Sequence, residues 1–361
     1  MIQRRIANLL GRVSHAVLGI LAGALLLAGA GLAKAGDLPP LNVVATFSVV
    51  GDMVKEVGGS HVNVVTIVGP NADTHSFEPT PQAVQALGQA QVLVSNGLGF
   101  ETWLPRLIAA SGFSGVHIVA SEGATLRAYS GAHAHTDADA HAHDAHERAD
   151  GDGEAVHAEI DHAGAHGTAD AAHQHRAGDI DPHAWQNLDN GMVYARNIAD
   201  GLSKADPARA PRYQRRVKKY LATMEKLDAE IRNALSVIPV EHRKAVVAHD
   251  AFGYFGDAYE VTFIPLAALG DAAEPSAQDI ARVIDRVRAL DRVGVFPETI
   301  SNPRLLEQLA READVLVGGP LYSDALAASD DPAGSYLGMF HWNAGQLIST
   351  LRPDNPSPAV Q

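Results

Sequence analysis

The sequence predicts an α/β fold with two four-stranded parallel-sheet lobes joined by a long rigid helix. Two observations support this fold class. Short runs rich in β-branched residues alternate with helical patterns in two separate series, and this alternation is typical of parallel sheets. Between the two series lies one continuous helical pattern of about thirty residues.

Each series contains four predicted strands. The strands of the first series are predicted at 42–47, 62–68, 91–96 and 115–121. Those of the second series are predicted at 244–250, 261–266, 292–298 and 313–319. The intervening segments have apolar residues at three- and four-residue steps, which indicates helices, for example at 48–59, 80–90 and 276–290.

The linking helix is predicted over 206–239. Its apolar positions follow helical steps: Tyr213, Val217, Tyr220, Leu221, Met224, Leu227, Ile231 and Leu235. Asp206 can cap this helix, and Pro207 suits its first position. About thirty residues at 1.5 Å each span roughly 45 Å, so we expect the helix to brace both lobes rather than act as a hinge.

Residues 1–35 have the pattern of a cleaved secretory signal peptide. Arg4, Arg5 and Arg12 precede an apolar stretch at 16–30, and small residues end the segment at 33–35. The rest of the chain then divides into three parts: an N-terminal lobe at 36–205, the linking helix at 206–239 and a C-terminal lobe at 240–361.

Charge and cysteine content narrow the possible functions. The chain has 28 basic and 42 acidic residues; residues 1–35 hold four basic and no acidic ones, so removing them changes the net charge from −14 to −18. An acidic exported protein suits cations and is a poor candidate for nucleic acid. The sequence contains no cysteine, so we expect no disulfide, no thiolate metal site and no lipid anchor.

An insert at about 128–178 interrupts the first lobe. Between 133 and 175 it contains ten histidines, ten acidic residues and one arginine, and it has almost no large apolar side chain. Such a segment buries too little surface to offset its ordering entropy, so we expect it to be mobile. Its imidazoles should bind zinc weakly, because each site must order its own backbone.

Four polar residues follow predicted strands in the two series. They are His75, His183, His249 and Asp324, two from each lobe. In open parallel α/β sheets, ligands bind outside the carboxyl ends of the strands, so these side chains are expected to meet in one interlobe cleft. Three imidazoles and one carboxylate can coordinate zinc tetrahedrally, which leaves no open position for a reacting water.

Five motifs make the chain similar to a known family. The segments "THSFEPTP", "DPHAW", "HDAFGYF", "EPSAQDI" and "YSDAL…GSYLGMFHWN" resemble the metal-binding proteins of zinc-uptake ABC transporters, the ZnuA-like family. The resemblance implies two α/β lobes with a metal ion in the cleft. It makes His75, His183 and His249 ligands and leaves the fourth ligand open between Asp324, Asp73 and water.

The resemblance implies a function outside the cytoplasm. We expect high-affinity capture of zinc in the periplasm by a monomer, and delivery to ABC permease subunits that work with a separate ATPase. Manganese members of the wider family have a carboxylate where this chain has His249, so a manganese receptor is the alternative, and zinc is favoured because imidazole suits it. A zinc-dependent hydrolase is the alternative of another class, but no H-E-x-x-H motif is present.

Two acidic residues beside the ligands can orient them. Asp181 and Asp250 lie next to His183 and His249, and either carboxylate could accept the second ring N–H. A helix cap or a solvated surface charge is the alternative role for each of them.

Deletion of residues 133–175 tests the role of the insert. We expect the shortened protein to keep one tight zinc ion in the cleft and to lose several weaker ones, because only the cleft is preorganised. Calorimetric titration with zinc measures both classes of site. Loss of the tight ion on deletion would contradict this division.

Overall fold

The computed structural model describes residues 39–129, 179–266, 277–290 and 292–354. The predicted signal peptide and residues 130–178 of the insert lie outside this part of the chain. The domain limits at 36, 206 and 240 stay predictions.

Eight strands and nine helices occur in the described residues. The strands are β1 (Leu41–Phe47), β2 (Val62–Val68), β3 (Val92–Ser95), β4 (Val116–Val119), β5 (Lys244–Val247), β6 (Thr262–Pro265), β7 (Gly294–Val295) and β8 (Leu316–Val317). The helices are α1 (Ser48–Gly58), α2 (Pro81–Gly88), α3 (Leu104–Ser111), α4 (Leu188–Ala205), α5 (Ala210–Leu235), α6 (Gly253–Tyr259), α7 (Ala277–Arg288), α8 (Arg304–Ala313) and α9 (Tyr336–Leu351).

The strands form two parallel sheets with the same topology. The first has the order β2-β1-β3-β4 and the second the order β6-β5-β7-β8. All the pairings are parallel. Six of the seven residues of β1 are buried, as expected for an inner strand covered on both faces. The predicted fold class is therefore confirmed.

The last two strands of the second sheet are much shorter than predicted. After β7 the amide of Phe296 still donates to Val246 O, but Pro297 has no N–H to continue the ladder. After β8 the chain continues through two glycines and Pro320. The polar residues beyond these strands therefore lie in loops, where their side chains are not committed to a sheet face.

Helix α5 connects the two sheets and packs on both halves of the molecule. Seven of the eight predicted apolar positions are buried, and only Leu221 is partly exposed. The 26 residues of the helix span about 39 Å at 1.5 Å each. Its buried side chains join strand and helix residues from both halves in one hydrophobic cluster.

The predicted start of this helix is wrong in detail. Pro207 begins a short 3-10 turn, and the α-helix starts three residues later at Ala210. Asp206 does not cap the helix: its Oδ2 accepts hydrogen bonds from Arg209 Nη1 at 2.8 Å and from Tyr213 Oη at 2.9 Å. The carboxylate is used to neutralise a buried guanidinium instead.

Direct hydrogen bonds also join the two halves. Asn71 N donates to Leu326 O at 2.9 Å, and Leu326 N donates to Ser48 Oγ at 2.9 Å. Tyr336 N, at the start of α9, donates to Asp52 Oδ2 at 2.8 Å. In the described ranges no helix has the length and apolar character needed to cross a bilayer.

Replacing Met224 by alanine tests the structural role of α5. This side chain is completely buried, so the cavity left behind should lower the free energy of unfolding by about 2–5 kcal/mol. Urea denaturation of the metal-free protein measures the change. Glu225→Ala on the exposed face is the matched control and should stay within about 0.5 kcal/mol; equal effects would contradict the role of the buried face.

Candidate metal centre

Loops at the carboxyl ends of both sheets meet in one cleft. His75 follows β2, and His183 lies on the segment before α4; His249 follows β5, and Asp324 follows β8. One donor atom from each of these residues lies within 4.8 Å of the other three. The structure thus brings together all four of the predicted site residues.

The four side chains differ in their exposure to solvent. His183 and Asp324 are fully buried, whereas the side chains of His75 and His249 are 21% and 28% exposed. No described residue supplies a hydrogen-bond partner to His183 Nε2 or Asp324 Oδ1, and both atoms are buried. Because buried polar atoms are normally satisfied, these atoms identify a place that can receive a cation.

The distances within the cluster suit a small cation. Asp324 Oδ2 lies 3.3 Å from His75 Nε2 and 3.1 Å from His249 Nε2, and Asp324 Oδ1 lies 3.5 Å from His183 Nε2. Tetrahedral zinc with bonds of about 2.0–2.1 Å places its ligand atoms about 3.3 Å apart. The carboxylate is therefore already at ligand spacing from each imidazole.

Asp181 orients the ring of His183. Its Oδ1 lies 2.8 Å from His183 Nδ1 and also accepts the backbone N–H of His183 at 3.0 Å. Its Oδ2 accepts a hydrogen bond from Arg127 Nη1 at 2.9 Å. With Nδ1–H donated to Asp181, Nε2 keeps its lone pair directed at the cluster.

Glu298 holds the ring of His249. Glu298 Oε2 lies 2.8 Å from His249 Nδ1, and Glu298 Oε1 accepts the backbone N–H groups of Ala248 and His249 at 2.9 and 3.1 Å. Glu298 therefore has the orienting role toward His249 for which Asp250 was one candidate. The sequence contained an indication of this role. Glu298 lies at the end of a predicted strand, and the four cluster residues also follow the ends of predicted strands.

His75 is held differently. Its backbone N–H donates to Asp73 Oδ1 at 2.8 Å, so Asp73 shapes the loop, while Asp324 takes the place in the cluster. The ring packs edge-on against Phe100, with centroids 4.8 Å apart. On the other side Trp185 lies 5.3 Å from the ring of His183 and donates to Ser323 O at 3.0 Å. Phe100 and Trp185 are both buried, so they form an apolar wall on the inner side of the cluster.

Burial and charge set the protonation of the cluster. Burial by itself raises the pKa of the Asp324 carboxyl, but electrostatic interactions with His183 and His249 and hydrogen bonds from His249 and His75 bring it well below its usual value. Burial lowers the pKa of His249, yet Glu298 and Asp324 together raise it well above 6.5. The ring of His249 thus lies between two carboxylates, which favour its protonated form when no metal is bound.

A two-lobed α/β fold with three imidazoles and a carboxylate in its cleft defines a protein of the metal-binding class. Residues 43–350 match the family described as ZnuA, zinc-uptake complex component A, periplasmic. The chain belongs to this family. It is a metal-binding protein of the substrate-binding class that serves ABC transporters.

The chain is similar to relatives that are named for other metals. It is 28% identical over 331 residues to the manganese-binding lipoprotein MntA of Halalkalibacterium halodurans, covering 91% of this chain and 95% of MntA. It is 25% identical to the manganese ABC transporter substrate-binding lipoprotein PsaA of Streptococcus pneumoniae, covering 96% and 99%. It is also 25% identical to the iron ABC transporter substrate-binding lipoprotein MtsA of Streptococcus pyogenes, covering 88% and 91%.

Solved structures share the fold. The periplasmic zinc-binding protein TroA of Treponema pallidum superposes with a TM-score of 0.67 at 24% identity, covering 86% of this chain and 99% of TroA. A manganese-bound periplasmic metal-binding protein of Candidatus Liberibacter asiaticus superposes with a TM-score of 0.65 at 20% identity and the same coverage. The shared fold therefore accompanies different metals.

The expectation that the protein is not lipid-anchored is wrong. MntA, PsaA and MtsA are all named lipoproteins. The expectation rested on the absence of cysteine. That absence excludes only the attachment of a lipid through a thiol of this sequence. It does not determine how a member of this family is held outside the cytoplasm.

Replacing Glu298 by glutamine tests the charge state of His249. The raised pKa means that His249 stabilises the fold fully below pH 6.5 and that this contribution is lost as the pH rises through its folded pKa. The variant should therefore lose stability on the order of 1–2 kcal/mol in acid and progressively less in alkali. Urea denaturation of the metal-free protein between about pH 5.5 and 9 measures this difference.

The matched control is Glu78→Gln, whose carboxylate is exposed and pairs only loosely with Arg106 at 3.4 Å. Its effect should be small and independent of pH. A Glu298→Gln effect at acid pH that is no larger than that of Glu78→Gln would contradict the role of Glu298 in raising the pKa of His249.

Proposed function

We propose that the protein captures zinc outside the cytoplasm and delivers it to an ABC permease, with His75, His183, His249 and Asp324 as the ligands. The observation that supports zinc most directly is the imidazole of His249 in the cluster. It makes the donor set three nitrogens and one carboxylate, and zinc accepts such a set in tetrahedral geometry. Manganese prefers oxygen ligands.

The names of the relatives do not decide the metal. MntA and PsaA are named for manganese and MtsA for iron, at identities of 25–28%. Donor chemistry therefore supports zinc for this chain, and the relatives support manganese as the second candidate. The choice between zinc and manganese depends on whether nitrogen or oxygen donors surround the ion in the cleft.

Binding requires only capture and release. The donor atoms already lie within 4.8 Å of one another, so the ion gathers them by movements of about 1.5 Å or less. The ion displaces the proton from His249 and replaces it as the positive charge beside Asp324. Phe100 and Trp185 are buried on the inner side of the site, and the ion reaches it from the side where His75 and His249 are exposed.

Delivery requires partner chains. Members of this transporter class work with membrane-embedded permease subunits and an ATPase, and we assign the same partners to this chain. A hydrolytic function has less support, because four protein donors leave no coordination position for an attacking water.

Calorimetric titration of the metal-free protein with zinc and manganese tests the assignment. Zinc should bind at least tenfold more tightly than manganese, because nitrogen donors dominate the cluster. His249→Ala should weaken zinc binding at least tenfold. His341→Ala, an exposed histidine on α9, is the matched control and should leave the affinity unchanged.

Tight manganese binding with negligible zinc binding would overturn the choice of zinc in favour of the manganese receptor. An unchanged zinc affinity in His249→Ala would instead overturn the ligand assignment.

A further inference from the structure

Arg127 lies on the boundary between the two lobes. Its Nη1 donates to Asp181 Oδ2 at 2.9 Å, and its Nε donates to Asp257 Oδ2 on α6 at 2.9 Å. The side chain is only 17% exposed, and Asp181 is completely buried. One guanidinium thus binds the carboxylate that orients His183 and, at the same time, a helix of the opposite lobe.

A tyrosine of α6 completes the contact. Tyr254 Oη donates to Asp181 O at 2.8 Å and accepts the backbone N–H of Arg127 at 3.1 Å. The guanidinium carbon lies 5.8 Å from the centre of the Tyr254 ring. The backbone segments that carry Arg127 and Asp181 are therefore both fixed to the same side chain of the second lobe.

Gly253 leaves space for the guanidinium of Arg127 because it has no side chain. A Cβ atom at this position would overlap the guanidinium of Arg127 and lie 3.0 Å from Asp181 Oδ2. The backbone of Gly253 does not have a positive φ, so the glycine is required by this close approach and not by the conformation of the chain. The "GY" of the "HDAFGYF" motif is thus accounted for by the contact with Arg127 and Asp181.

The contact between Arg127, Asp181 and α6 is close to metal-cluster residues of both lobes. Asp181 holds His183 through Nδ1, and α6 begins four residues after His249. Removing the guanidinium would leave the buried Asp181 carboxylate without its cation and free to shift toward other partners. The ring of His183 would then lose the support that keeps Nε2 directed at the ion.

We propose that Arg127 is a positioning residue for metal retention: it fixes His183 through Asp181, and its contacts with Asp257 and Tyr254 of α6 hold the guanidinium in place. The proposal rests on the proposed function, because it concerns the same metal site. When the guanidinium is removed or displaced from this position, the support of His183 weakens and the ion is released more readily.

Metal dissociation from the full-length protein tests the proposal. Arg127→Gln should raise the zinc dissociation constant by about 10–100-fold, as for other residues that support a ligand. Most of the change should appear as faster dissociation when a chelator is added. Arg127→Lys should recover part of the loss, because one ammonium can pair with Asp181 or Asp257 but not bridge both.

Gly253→Ala disturbs the contact between Arg127 and Asp181 without removing a charged group. Its methyl group displaces the guanidinium, so it should accelerate zinc release in the same direction as Arg127→Gln. The absorption spectrum of bound Co²⁺ depends on coordination geometry and should change in both variants. Arg106→Gln and Gly345→Ala are the matched controls, since Arg106 forms an exposed ion pair and Gly345 has open space around it.

Zinc and manganese are both measured with the wild-type protein first. A preference for manganese would overturn the proposed cargo, and the variants would then be compared with manganese. The positioning role is overturned if Arg127→Gln and Gly253→Ala both release the bound metal within twofold of the wild-type rate. It is also overturned if the Co²⁺ spectra match that of the wild type.

Discussion

The burial of one carboxylate governs the arrangement of the cleft. Asp324 has no exposed surface, and a buried anion is costly unless cations or hydrogen-bond donors surround it. Its neighbours are three imidazoles: those of His75 and His183 from the first lobe, and that of His249 from the same lobe as Asp324. The same contacts that neutralise Asp324 therefore bring the lobes together, and a bound metal would take over this neutralising charge.

Each imidazole is supported by a layer of carboxylates behind the cluster. Asp181 and Glu298 contact the Nδ1 atoms of His183 and His249, and Asp73 holds the backbone of His75. The rings of His183 and His249 are therefore fixed by these contacts, and all three rings present Nε2 toward Asp324. Preorganisation of this kind lowers the cost of gathering the donors, which is the physical basis of tight binding.

The sequence predicted both parallel sheets from the alternation of strand and helix patterns, and it placed four polar residues after predicted strands, with the fourth ligand left open between Asp324, Asp73 and water. Glu298 ends a predicted strand, and the strand pattern alone does not indicate that its carboxylate reaches the ring of His249. Arg127 and Asp257 carry no local signal: they are 130 positions apart in the chain and meet only through packing of the lobes. The cap expected at Asp206 failed because a buried arginine competes for its carboxylate.

The unequal exposure of the four donor residues gives the cluster an outer and an inner side. Solvent reaches the rings of His75 and His249, whereas His183 and Asp324 are closed off by Trp185 and its surroundings. The cluster is thus open to solvent on one side only, and an ion arriving from solvent contacts the imidazoles of His75 and His249 before it reaches His183 and Asp324.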